Sequence, residues 1–190
     1  MFISAALQTY APKLYRYYED TLQTLYDKYP HLSPAFPSTI WPAASFNLGN
    51  QVVTREHRDA HNLPQGWCAL FSFGDFDATK GGHLILRELG YMAEFPAGSL
   101  ILLPSSTVTH GNTPIQLHET RKSLALYAAG GLFRWAAYGF RGWKRFLAED
   151  PSAAQKMEED GPMRWKTAVD MFSTVHGLCA DQLSCGRSSL

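Results

Sequence analysis

Residues 67–74 read WCALFSFG, a short apolar run bounded by glycine on both sides, which is typical of a β-strand. Three further runs of this kind follow along the chain: GGHLILREL (81–89), GSLILLPS (98–105) and SLALYAAGG (123–131). Several short strands separated by turn residues favour an antiparallel sandwich or barrel. We therefore predict a β core over about residues 45–130.

Helical patterns flank this predicted core on both sides. Residues 12–28 place apolar and aromatic side chains on one stripe at helical spacing, Pro12 suits a first turn, and Pro30 ends the element. Helical character returns at residue 132. The pattern predicts an α+β fold with helical parts at about 5–29 and 132–180, all within a single domain over residues 1–190.

Composition narrows the class of protein. The chain has 190 residues, of which 45% are hydrophobic, enough for one sizeable core. Its 17 basic and 17 acidic residues balance, so net charge makes no case for nucleic acid or an anionic membrane. Three cysteines without CxxC spacing indicate a reduced, intracellular protein without a cysteine-built zinc site. We expect no membrane segment, and the oligomeric state stays open.

A set of polar residues recurs around the predicted strands. Residues 57–62 read HRDAHN, and His57 with Asp59 could hold a metal or could be a polar surface turn. His110 lies 53 residues further on, after a predicted strand, and Arg121 follows eleven residues later. Ser123 comes two positions after Arg121, so both side chains should share one face of a strand. The order of all five residues is specific in combination, whereas His61 and His83 are not needed as ligands.

This combination of residue types points to one metal chemistry. Two neutral imidazoles and one carboxylate on one face of an octahedron suit a non-haem Fe(II) and leave three positions open. 2-Oxoglutarate would take two of those positions and O₂ the third. The far carboxylate of 2-oxoglutarate needs a fixed cation and a hydroxyl, which Arg121 and Ser123 could supply.

The same motifs carry a family resemblance over about residues 45–140. HRDAHN followed by GWCALFSF, then THGNTPI and ETRKSLALY, resembles the TET/JBP family of nucleic-acid-modifying 2-oxoglutarate dioxygenases, and is most similar to its fungal branch. The resemblance implies a double-stranded β-helix (jelly-roll) core, Fe(II) and 2-oxoglutarate as cofactors with O₂ as cosubstrate, and methylated DNA as the partner. It also implies oxidation of a base methyl group, on 5-methylcytosine or N6-methyladenine, and a nuclear location.

The resemblance also assigns roles by position. His57, Asp59 and His110 would bind iron, and Arg121 with Ser123 would hold 2-oxoglutarate. Asn62 would contact a flipped-out base through its amide, and Tyr127 would stack on that base. Two plainer interpretations stay open: Asn62 caps its own backbone, and Tyr127 is strand core. Ala129 stands where the animal enzymes have a base-reading histidine, so the choice between cytosine and adenine also stays open.

Two further questions are left to the structure and to experiment. The segment 120–148 interleaves basic residues with aromatics and has no acid, which suits either phosphate contact with base stacking or an amphipathic helix packed by its aromatics. The alternative functions are a 2-oxoglutarate dioxygenase that hydroxylates a protein side chain or small molecule, and a non-catalytic binding module with the same fold.

Overall fold

Helical segments precede and follow a β-rich stretch of the chain in a computed structural model that describes residues 2–34 and 36–186. These residues fall into two compact units, a β unit over 41–129 and a helical unit formed by residues up to 40 and from 130 onward. Mixed helical and antiparallel β structure is therefore confirmed as the fold class. None of the helices within the described ranges has the length and apolar character that crossing a membrane requires.

The β unit is built from two antiparallel sheets. The first has the strand order β1-β7-β2-β5, with β1 Ala43–Asn47, β2 Cys68–Asp75, β5 Leu100–Leu103 and β7 Thr120–Tyr127. The second has the order β4-β3-β6, with β3 Leu84–Leu86, β4 Tyr91–Ala93 and β6 His110–Asn112. Neighbouring strands are often distant in sequence, so the sheets depend on long-range pairing.

Alternation along the strands decides which side chains form the core. On β2, Cys68 pairs with Leu103 and Leu70 pairs with Ile101, so these residues share one face of the first sheet. The apolar side chains of both sheets meet in one cluster: Leu84, Leu86, Phe95, Leu103 and Val108, with Leu70 and Ile101 packed against it. Their burial is the main force that holds the β unit together.

The helical unit has α1 at Phe2–Tyr10, α2 at Pro12–Lys28, α3 at Gly130–Ala137, α4 at Trp143–Glu149, α5 at Pro151–Glu159, α6 at Arg164–Asp170 and α7 at Leu178–Cys185. A short 3₁₀ turn, Gly161–Met163, precedes α6. Helix α2 begins at Pro12 as predicted, and Leu14, Leu22 and Leu25 lie on its buried face. Phe133 of α3 is buried against Tyr17 and Tyr18, with ring centroids 5.3 and 5.2 Å apart.

The basic, aromatic segment contributes mainly to packing in the helical unit. Trp135 stacks on Tyr29, and Tyr138 stacks on the buried Phe146. The helical run predicted after residue 132 is interrupted between α3 and α4, where Gly139 and Phe140 adopt left-handed backbone angles. Within the helical unit the contacts therefore favour the interpretation in which the aromatics of this segment pack a helix.

Candidate metal centre

A backbone bridge brings the two predicted histidine ligands together. The His57 N–H donates to the His110 carbonyl at 3.0 Å, and the His110 N–H donates to the His57 carbonyl at 2.9 Å. The two imidazole rings consequently lie 4.6 Å apart between centroids. Gly111 permits this approach, because a Cβ at that position would lie only 2.8 Å from the Thr54 carbonyl oxygen.

Local hydrogen bonds fix the protonation pattern of both rings. The Nδ1 atom of His57 lies 2.9 Å from the Arg55 carbonyl oxygen, and Nδ1 of His110 lies 2.9 Å from that of Val108. A carbonyl oxygen can only accept, so each Nδ1 carries the hydrogen and each Nε2 keeps a free lone pair. Burial lowers the pKa of His110, which favours the neutral imidazole that a metal ligand requires.

Asp59 completes a group of three donors. Its Oδ1 lies 3.3 Å from Nε2 of His57, and ligand atoms of His57, Asp59 and His110 all lie within 4.8 Å of one another. Two donors bound at about 2.1 Å to one octahedral ion would lie about 3 Å apart, so the 3.3 Å spacing of the His57 and Asp59 donors suits neighbouring metal ligands. No other group of three such side chains occurs in the described part of the chain.

Asn62 lies directly behind the Asp59 carboxylate. Its Nδ2 is 3.1 Å from Oδ2 of Asp59, 3.2 Å from Oγ of Ser105 and 3.3 Å from Sγ of Cys68. The Cys68 thiol and the Ser105 hydroxyl are themselves 2.8 Å apart. Burial raises the pKa of Cys68 to about 11, so this thiol is neutral at physiological pH.

Arg121 is a buried cation with no counter-charge in the described part of the chain. Its side chain is 3% exposed, and no carboxylate pairs with it among residues 2–34 and 36–186. One Nη donates to the Val52 carbonyl at 3.2 Å, whereas the buried Nε finds no hydrogen-bond partner among the residues that the structure describes. Burial lowers the pKa of this guanidinium, but an arginine stays protonated at any physiological pH. Such a charge calls for an anionic ligand.

Glycine allows Arg121 to be packed this closely. A Cβ on Gly82 would lie 3.3 Å from Cδ of Arg121 and 2.7 Å from the ring of Phe76, and the backbone of Gly82 is left-handed. The guanidinium carbon lies 6.0 Å from the centroid of the same Phe76 ring. Phe76 and Gly82 therefore fix the position of Arg121, but neither residue carries a negative charge that could neutralise it.

All seven predicted site residues line one cavity of about 440 Å³ within the β unit. They are His57, Asp59, Asn62, His110, Arg121, Ser123 and Tyr127. The period-two prediction for β7 is consistent with this placement, because Arg121, Ser123 and Tyr127 all face the cavity. Ser123 also accepts a hydrogen bond from Nδ2 of Asn47 at 3.1 Å. A cavity of this volume suits a small molecule.

Sequence reasoning missed several residues around this cavity. Asn47 on β1 and Cys68 on β2 line it, while Ser105 supports Asn62 from a fully buried position. Short polar residues at such positions have no spacing that marks them in a sequence. His61, by contrast, is exposed and does not belong to the group of three donors.

Comparisons with known proteins are sparse. No family model matches the chain, and no curated protein sequence matches it. Among solved structures it is similar to NgTET1 in complex with 5mC DNA, at 21% identity and a TM-score of 0.43, over 65% of this chain and 52% of that one. It is also similar to the viral collagen prolyl hydroxylase vCPH from Paramecium Bursaria Chlorella virus-1 in its 2OG complex, at 12% identity and a TM-score of 0.32, over 58% and 70% of the two chains. This chain thus spans about half of the NgTET1 chain.

Proposed function

We propose that this protein is an Fe(II)- and 2-oxoglutarate-dependent dioxygenase that oxidises the methyl group of a methylated DNA base. One observation carries the cofactor part of the proposal. Three side chains that could hold one metal ion, His57, Asp59 and His110, line the same cavity as a buried arginine that pairs with no carboxylate of the described residues. Two imidazoles with one carboxylate suit Fe(II), and a fixed cation suits the far carboxylate of a dicarboxylic acid.

The chain's own residues would prepare the metal site. Both imidazoles present Nε2 lone pairs because their Nδ1 hydrogens are donated to the backbone. Asp59 adds one negative charge beside His57, which partly neutralises a divalent ion. When bound, iron and 2-oxoglutarate would supply the oxidising chemistry, in which O₂ is consumed, 2-oxoglutarate is decarboxylated to succinate and a substrate C–H bond is hydroxylated.

Cosubstrate orientation would fall to Arg121 and Ser123. The guanidinium offers a forked pair of donors at a fixed position, and the Ser123 hydroxyl adds a third polar contact on the same strand face. The apolar side chains of Leu70, Leu84 and Phe95 also line the cavity. Apolar lining excludes water, which strengthens the attraction between arginine and carboxylate.

The substrate part of the proposal is supported by the ordered motifs that resemble the TET/JBP family. A methyl group on a base can reach a metal inside a cavity only if the base leaves the duplex. Tyr127 lines the cavity wall and is half-buried, so it offers an aromatic face on which such a base could stack. Asn62 also lines the cavity and stays a proposed base contact.

One experiment tests the cofactors and the substrate together. Purified protein is incubated with Fe(II), 2-oxoglutarate and duplexes that contain either 5-methylcytosine or N6-methyladenine, and succinate and oxidised bases are quantified by mass spectrometry. We expect succinate formation together with an oxidised methyl group on one of the two bases, and neither product from Asp59→Ala.

The other outcomes separate the alternatives. Succinate without any change in DNA would reject a DNA substrate and favour a protein side chain or a small molecule. Failure to bind iron or to form succinate would reject the dioxygenase proposal and favour a non-catalytic binding module.

A further inference from the structure

The amide of Asn62 is oriented by three acceptors, only one of which belongs to a metal ligand. We infer that Asn62, backed by Cys68 and Ser105, is a positioning residue that holds the Asp59 carboxylate for the metal. This inference rests on the proposed function, because it concerns the same metal site. It gives Asn62 a role that neither backbone capping nor base contact describes.

The Asn62 amide has fewer hydrogens than it has acceptors within reach. A side-chain NH₂ group has two hydrogens, and here three acceptors lie within 3.1–3.3 Å of it. Asp59 Oδ2 takes one hydrogen, since a carboxylate is the strongest acceptor of the three. The other hydrogen points to the Ser105 and Cys68 pair, whose polar atoms are 2.8 Å apart.

Ser105 and Cys68, which contact the Asn62 amide, are themselves held firmly by the fold. Ser105 is fully buried, and its carbonyl accepts from the Asp59 N–H at 2.9 Å, so one residue supports both the backbone and the side chain of the ligand loop. Cys68 is 3% exposed and begins β2 opposite Leu103 of β5. The amide of Asn62 thereby ties the loop 57–62 to the first sheet.

As a consequence of these contacts, Asp59 presents only one of its two carboxylate oxygens toward His57. Oδ2 of Asp59 is occupied by Asn62, whereas Oδ1 lies 3.3 Å from Nε2 of His57. The carboxylate is therefore prepared to give one oxygen to a metal and leave other positions open. Without Asn62 the Asp59 carboxylate could rotate freely. Metal binding would then have to immobilise it, and this loss of entropy would lower the affinity for metal.

The test is metal affinity measured without DNA and without 2-oxoglutarate. Titration of wild type and Asn62→Ala with Mn(II) by calorimetry, and with Co(II) by visible absorption, should show about 10- to 100-fold weaker binding by the variant and an altered Co(II) spectrum. Asn47→Ala is the matched control, because it removes another cavity-lining amide that contacts Ser123 and no metal ligand. Its metal affinity should equal that of wild type.

The outcomes distinguish this inference from the proposed function. If Asn62→Ala bound metal as tightly as wild type, the inference would be overturned and the proposed function would stay intact. That result is expected of a residue that only contacts a base. Absence of metal binding by the wild type would overturn both. Should thermal melting show that Asn62→Ala does not fold, Ser105→Ala and Cys68→Ser replace it. We then expect Ser105→Ala to bind metal more weakly, whereas Cys68→Ser keeps a polar partner for the amide and should bind metal with near-native affinity. Equal metal affinity in wild type and both variants would overturn the inference.

Discussion

The β unit and the helical unit differ in where they place polar groups. Among the described residues, the buried polar side chains of the β unit are Ser72, Ser105, His110, Asn112 and Arg121, whereas the helical unit buries only Ser4. The helical unit instead keeps its charges on the surface, where Arg141 and Arg145 both pair with Glu149. Burying polar groups is costly unless they are paired, so the β unit carries a cost that the helical unit avoids.

This contrast indicates where function lies. Proteins depart from the rule of an apolar interior mainly at functional sites. In the β unit three of these five residues, His110, Asn112 and Arg121, line a single cavity. The helical unit follows ordinary packing rules with aromatic contacts and surface ion pairs. Changes in the two units should therefore separate activity from stability.

The largest expected effect is the loss of a metal ligand in the β unit. Asp59→Ala removes the carboxylate of the three-donor group and leaves two neutral imidazoles. We expect metal binding and succinate formation to fall below detection, because a divalent ion loses its only charged ligand in the set. Calorimetric titration with Mn(II) measures the first and product analysis the second. A variant that still turned over at the wild-type rate would contradict the assignment.

Arg121→Ala should have the next largest effect. The substitution removes the cation proposed to bind the far carboxylate of 2-oxoglutarate, and we expect the concentration needed for half-maximal turnover to rise about 100-fold or more. Arg121→Lys should rescue this only in part, because an ammonium cannot form the forked contact. Steady-state kinetics with varied 2-oxoglutarate provides the measurement. An unchanged requirement would show that the buried charge serves another anion.

A core change in the helical unit should give the opposite pattern. Phe133→Ala leaves a cavity between Tyr17 and Tyr18 and should lower the free energy of unfolding by about 3–5 kcal/mol. Urea denaturation followed by circular dichroism measures this loss. The affinity for Mn(II), measured well below the denaturation midpoint, should stay at the wild-type value. A parallel loss of metal affinity would break the separation between the two units.

Cysteine reactivity should also differ between the units. Burial raises the pKa of Cys68 to about 11, so at pH 8 roughly one thiol in a thousand is the reactive thiolate. Because the folded pKa is raised, the thiolate becomes a large fraction of Cys68 only as the pH approaches 11. Cys179 is exposed in the helical unit and should be alkylated by iodoacetamide first. Peptide mass spectrometry with and without urea checks the order, and rapid labelling of native Cys68 would contradict it.

The smallest effect is expected at a helix cap. Asp150 accepts a hydrogen bond from the Ala153 N–H at the start of α5, at 3.1 Å. Asp150→Ala should cost about 1 kcal/mol of unfolding free energy, whereas Asp150→Ser should restore most of it because serine also caps. Thermal melting of the three proteins measures this difference. No difference between alanine and serine would show that the cap is not used.

Local sequence patterns were sufficient to predict which side chains share one face of a strand. Residues two positions apart on a strand share a face, so the sequence alone places Arg121 and Ser123 side by side, and both line the cavity. The motif resemblance named the three donors, and the structure brings them within 4.8 Å of one another. The single domain over residues 1–190, the double-stranded β-helix, the fungal branch and the intracellular location stay predictions.

What the sequence lacked is information on long-range packing. The bridge between His57 and His110 joins residues 53 positions apart, and nothing in either motif specifies it. Likewise, Ser105 has no feature that marks it as a support for Asn62, because the contact depends on how a loop crosses a strand end. The absence of a carboxylate beside Arg121, within the described ranges, is also a property of the folded chain and of no single segment.

The bridge between His57 and His110 gives the centre a local two-fold relation. Each residue donates its N–H to the other's carbonyl, and each ring donates Nδ1–H to the carbonyl two residues before it. The two imidazoles are thus equivalent in their backbone hydrogen bonds. Asp59 lies beside the ring of His57, and His57 is exposed whereas His110 is buried, so the carboxylate and the difference in burial together break this equivalence and leave the donor set open to solvent on the His57 side.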